Sequence, residues 1–185
     1  RIVRINGDGS IRLILDDYAR DVNGNEITSA YNSTCSNVNT ISSALECAKL
    51  SNATLQSSLN EWYKNNLSNV ERYLVKGKFC NDYSYQNNNG EIKFYGKYRL
   101  DSERVPNLTC KMLNTFAEGE IETTTSYIGL LTADEAALAG AIWKIANTDF
   151  YLYKSGFANW TPTVDSWNSS KLNMITYENE GIYTS

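Results

Sequence analysis

The sequence predicts an α+β domain with mostly antiparallel strand pairing, and three local patterns carry that prediction. The chain opens on a hairpin, closes on a hairpin, and places amphipathic helices and a helix-capping box between them. At 185 residues it suits a single domain, 1–185, with a core of its own.

Ile2, Val3 and Ile5 lead into Asn6-Gly7-Asp8-Gly9, after which Ile11, Leu13 and Leu15 continue the apolar pattern. The Asn-Gly and Asp-Gly pairs supply the positive φ that a tight turn needs. The turn faintly resembles a calcium loop but lacks the bidentate Glu of one. Residues 17–50 form a polar insertion. Asp21, Asn23, Asn25 and Glu26 offer oxygen ligands there, although Asn23-Gly24 reads first as a turn. Within it, Val38, Ile41, Leu45 and Leu50 predict a short helix. Residues 54–67 predict a stronger one, with Thr54 as N-cap and Leu55, Leu59, Trp62 and Leu67 near one face. Residues 70–75 fit a strand or a short helix.

A second polar region spans about 80–125. Most of 80–110 reads as irregular, apart from a strand-like alternation over Ile92–Tyr98. Tyr127–Leu131 predicts a buried strand. Thr132-Ala-Asp-Glu135 is a capping box that starts a helix through Ile145. Phe150–Tyr153 predicts a strand, and Lys171–Tyr177 with Ile182–Thr184 a closing hairpin around 178–181.

Composition removes whole classes of chemistry. Histidine is absent, which excludes Ser-His-Asp and Cys-His catalysis and histidine-bound zinc. The net charge of −4 comes without a Lys/Arg cluster, which argues against nucleic acid as a partner. No apolar run reaches the roughly 18 residues of a membrane helix, so no membrane insertion is expected within this segment. The chain starts directly in a strand and reads as a processed segment. Adjacent carboxylates at Asp16-Asp17 and Asp134-Glu135 have no evident means of splitting their pKa values. We therefore expect no enzyme activity and no cofactor, with a carboxylate-based hydrolase the least supported function.

The four cysteines contain no C-x-x-C pair. Three pairings are open, and the two local staples, Cys35–Cys47 and Cys80–Cys110, are preferred because each closes a polar, Asn/Ser-rich loop. Such bonds predict a secreted or cell-surface location.

Several segments resemble a family of uncharacterised surface proteins of low-GC Gram-positive bacteria. They are RIVRINGDGSIRLIL, LNEWYKNNL, the FCND around Cys80, YIGLLTADEAALAG, NTDFYLY and NWTP. The chain is also similar to the broader group of formylglycine-generating enzymes and C-type lectins. That resemblance implies a C-type-lectin-like fold with two or three helices and long disulfide-stapled loops. It also implies surface display, in some relatives through a prepilin-like helix. The calcium-lectin triplets are missing, and no cysteine follows Cys110, so neither sugar-bound calcium nor copper chemistry carries over.

The first expected binding element is a late Trp-rich loop, Gly156–Ser170, with Asn159, Trp160, Asp165, Trp167 and Asn168. Flat aromatic faces beside amide and carboxylate groups suit a glycan or a protein. For Trp160 an anchoring role in the core is the stronger reading. The second is a Tyr/Asn surface that includes Tyr83 and Tyr85. The expected function is extracellular recognition or adhesion. The alternative is a structural subunit of a pilus-like filament, with copies of the chain as partners.

Overall fold

The computed structural model describes residues 1–15, 17–35, 38–110, 118–150, 159–169, 171–178 and 181–184; for 159, 178 and 181–184 only the backbone is described. It is a mixed α+β structure in which every named strand pair is antiparallel.

Strands β1 (Ile2–Ile5) and β2 (Ile11–Leu13) form the expected opening hairpin. Its turn is closed by Asn6 N–H donating to Ser10 O at 2.8 Å and by Ser10 N–H donating to the Asp8 carboxylate at 2.9 Å. The Asp21 carboxylate similarly accepts from the backbones of Asn23 and Asn25, the turn reading of that loop. Helix α1 (Ile41–Ala48) is capped by Thr40 and buries Ala44 and Ala48.

Helix α2 (Thr54–Asn66) has Ala53, not Thr54, as its N-cap. The Thr54 hydroxyl is engaged elsewhere: it accepts from Ser33 N–H at 2.9 Å and so ties the preceding polar loop to the helix. A 3₁₀ segment, Ser68–Tyr73, follows α2 and settles the ambiguity over 70–75.

The region expected to be irregular is mostly regular. It contains β3 (Gly77–Asp82), β4 (Tyr85–Asn88), β5 (Glu91–Phe94) and one helical turn, α3 (Tyr95–Tyr98), which runs into a π-helical turn at Arg99–Glu103. The strand expected over Ile92–Tyr98 therefore stops at Phe94. Strand β6 (Ile121–Ser126) pairs with β3, and its β-branched Thr run suits a pleated surface. Tyr127–Leu131, expected as a strand, has no strand pairing, with a bend at Tyr127, and only Leu131 is buried.

The capping box forms as predicted. Thr132 accepts from Glu135 N–H at 3.1 Å, and Glu135 accepts from Thr132 N–H at 3.1 Å. Helix α4 (Ala133–Leu138) is shorter than predicted. Gly140, at φ +112°, turns the chain in a conformation that favours glycine, and Asn147 donates to the Gly140 carbonyl at 2.6 Å. Of the strand expected at Phe150–Tyr153, Phe150 is a buried bend residue and 151–153 lie outside the described residues.

Strands β7 (Asn159–Trp167), β8 (Leu172–Glu178) and β9 (Gly181–Thr184) form a three-stranded sheet in sequence order. Its centre is buried on both faces. Ile175 and Tyr177 pack into one apolar cluster with Leu131, Ala136 and Phe150. Val164 and Met174 pack into a second with Tyr83, Phe94 and Leu50. The period of two along β8 thus divides the core between two sides of one sheet. Both expected disulfides, Cys35–Cys47 and Cys80–Cys110, are formed, and no cysteine is free.

Candidate functional site

The residues expected to bind a ligand lie mostly within packed or paired elements. Residues 159–167 form strand β7 rather than a loop, and 156–158 and 170 lie outside the described residues. Trp160 is half-buried, packs against the second core cluster and meets Tyr31 edge-on, with ring centroids 6.4 Å apart. Trp167 packs beside the same cluster and donates from Nε1 to Val38 O at 2.7 Å. Asn159 pairs with Tyr177 through the strand backbone. Asn168 is exposed, and its Oδ1 accepts from Lys171 N–H at 2.9 Å, closing the turn into β8.

The expected Tyr/Asn surface is also corrected. Tyr83 and Tyr85 are buried in the core. Tyr83 donates to the Ala48 carbonyl and to Glu122, both at 2.9 Å. Glu122 further accepts from Leu50 N–H, Ser51 N–H and Asn81 Nδ2. Burial acts to raise the Glu122 carboxyl, but these hydrogen bonds outweigh it and hold it below the usual range.

Asp165 is buried at 6 % exposure. Its Oδ2 accepts from Ser166 at 2.7 Å, while its Oδ1, 4.0 Å from Lys97 Nζ, has no hydrogen-bond partner among the described residues. Burial raises this carboxyl, with Ser166, Lys97 and Lys144 opposing the shift incompletely. The ionised form is therefore penalised in the folded state. Stability should rise as pH falls from neutral through the folded-state value, while the unfolded chain is still ionised. Asp165→Asn is expected to raise the melting temperature at pH 7, and the difference from the parent should shrink as pH is lowered. Parallel melts at pH 7 and pH 4 check this.

The residues that come together in a cleft include the Cys80–Cys110 staple and the Asp134-Glu135 pair, joined by arginines whose pairing carries no local signal in the sequence. A cleft with a cavity of about 120 Å³ lies beneath the opening hairpin. Lys78, Cys80 and Asp82, alternate residues of β3, line one wall. Arg4 and Arg12 reach it from the hairpin, and Asp134 and Glu135 from the start of α4. Arg99 enters from the π-helical turn. Asn107–Cys110, Ile121, Thr132 and Thr163 complete the lining.

The cleft has two electrostatic ends. At one, Arg99 is buried and holds Asp134 with Nε at 2.7 Å and Nη2 at 2.6 Å, and Asp82 with Nη1 at 2.6 Å. Asp134 also accepts from Asn107 N–H at 2.9 Å, and Asp82 from Ser84 N–H at 3.0 Å. Burial lowers the Arg99 guanidinium, but the two carboxylates overcome it and raise it above its ordinary value. This end is satisfied.

At the other end, Arg4 and Arg12 share Glu135, and Lys78 lines the cleft beside them. Arg12 pairs with Glu135, donates to Lys78 O at 3.0 Å and lies over the Phe79 ring at 4.2 Å. Arg4 Nη1 is 3.5 Å from the same carboxylate oxygen, and its buried Nε has no acceptor among the described residues. Burial lowers Arg12 below its ordinary value, Glu135 counters, and repulsion from Arg4 adds to the lowering.

With Arg4 and Arg12 turned inward and only Val3 and Ile14 of its aliphatic residues packed against the core, the hairpin carries its other aliphatic residues outward. Ile2, Ile5, Ile11, Leu13 and Leu15 are exposed, Ile5 at 69 % and Leu13 at 68 %. The signal available in the sequence was the alternation of arginines with aliphatics; the reversal of its usual orientation was not. Asp134 and Glu135 are both engaged by arginines, and Asp16 lies outside the described residues. Among the described residues no group of three or more Cys, Asp, Glu or His is placed to hold a metal ion. Among them, too, no helix is long and apolar enough to cross a membrane. No family model, curated protein or solved structure matches the chain.

Proposed function

We propose that this chain is an extracellular recognition domain on a C-type-lectin-like scaffold. It meets a protein or glycan ligand through the face formed by the opening hairpin and the cationic cleft beneath it. The observation that carries the reading is the reversed hairpin, with arginines turned in and five aliphatic side chains turned out. Contiguous exposed apolar surface of this kind marks interaction sites. Two formed disulfides support an oxidising compartment. The capped helix α4 packed by the terminal three-stranded sheet supports the scaffold assignment.

Protein and glycan arrays probed with the isolated chain test this. Binding is expected, with Leu13→Lys or Ile5→Lys weakening it by about tenfold or more. Trp167→Ala should lower stability without changing the set of ligands. Silence on both arrays, or binding indifferent to the hairpin substitutions, would sink the proposal.

A filament subunit is the second reading, favoured by the same hairpin. Its two strands pair only with each other among the described residues, so two strand edges are open. Sedimentation that shows concentration-dependent assembly, abolished by Leu13→Lys, selects this reading. A monomer at the highest soluble concentration removes it.

A further inference from the structure

We infer that the cationic end of the cleft receives the carboxylate of an acidic side chain presented by a protein partner. The inference rests on the recognition reading above and names the chemistry of its site.

Charge comes first. Arg4 and Arg12 already share the single carboxylate of Glu135, and Lys78 lines the same cleft beside them. Lys78 has no ion-pair partner among the described residues, and Arg4 Nε is a buried donor without an acceptor. A buried N–H left unpaired is unfavourable, and an incoming carboxylate oxygen relieves it with a charge-assisted bond. The other end of the cleft offers no such opening, because Arg99 saturates Asp82 and Asp134.

Size comes second. The cleft holds a cavity of about 120 Å³. That admits a carboxylate and a short aliphatic stem. The walls match such a stem, since Leu108, Ile121 and the Cys80–Cys110 disulfide are apolar. The ligand's surroundings come third. The exposed aliphatic face of the hairpin above the cleft, together with exposed Leu108, suits the apolar surface of a protein around a single acidic anchor.

Amide NMR of the full chain tests this, with N-acetyl-glutamate N-methylamide as the probe. Shift changes are expected at Arg4, Arg12, Lys78, Leu108 and Thr109. They should be absent with the glutamine analogue. Lys78→Gln, which disturbs no ion pair among the described residues, should weaken the response about tenfold. No response, an equal response to the glutamine analogue, or a stronger one to glucuronate would overturn the inference. Array binding that survives Lys78→Gln, alongside no response to the probe, overturns the inference and leaves the recognition reading intact. Loss of the recognition reading shows instead as silent arrays.

Discussion

Arg99→Ala is expected to destabilise the fold by about 3–5 kcal/mol, the cost of breaking a buried ion pair by removing one partner. The substitution strips three hydrogen bonds of 2.6–2.7 Å from Asp82 and Asp134 at once. Ser84 and Asn107 remain as donors to those carboxylates, but neither carries a charge. Urea unfolding followed by near-UV circular dichroism measures the loss. Arg99→Lys should recover only part of it, because a point ammonium cannot span Asp134 in bidentate fashion while reaching Asp82. Combining Arg99→Met with Asp82→Asn and Asp134→Asn should be milder than Arg99→Ala, since no charge is then left unpaired. If Arg99→Ala costs less than about 1 kcal/mol, the network is not the joint between β3 and α4 that its geometry indicates.

How much of this was legible in the sequence depends on how local each interaction is. The Thr132–Glu135 capping box lies within one helical turn and was readable. The second role of Glu135, anchoring Arg12, joins residues 123 apart and had no local signature. The hairpins were readable because turn residues and alternation sit side by side. Alternation does not say which face turns inward, and here long-range pairing to Glu135 draws the arginines in. Tyr83 and Tyr85 were misread for the same reason. Their polar neighbours suggested solvent, whereas the Tyr83 hydroxyl is satisfied by Ala48 and Glu122, more than thirty residues away on either side. The core-anchoring role of Trp160 was legible, but the late Trp segment read as a loop because a strand buried on both faces lacks clean alternation: Thr161 to Asp165 are all buried. Of the candidate cleft, only the cysteines and the capping box were visible in advance.

The two disulfides should then be unequal in a way that separates stability from recognition. Cys80–Cys110 closes a separation of 30 residues and Cys35–Cys47 one of 12. On the chain-entropy model their removal costs about 3.5 and about 3 kcal/mol, so paired Cys→Ser variants should show similar drops in urea midpoint. Their effects on the cleft should differ. Cys80 and Cys110 form part of its wall, and their bond holds Asn107–Thr109 against β3. That segment supplies Leu108 and is otherwise tied to the network through the Asn107–Asp134 bond. The Cys80→Ser/Cys110→Ser variant should therefore lose the glutamate-probe response while still folded. The Cys35→Ser/Cys47→Ser variant, whose bond staples the loop before α1, should keep it. Equal loss in both would mean that the response follows global stability, and the wall of the cleft would have no role of its own in holding an acidic side chain.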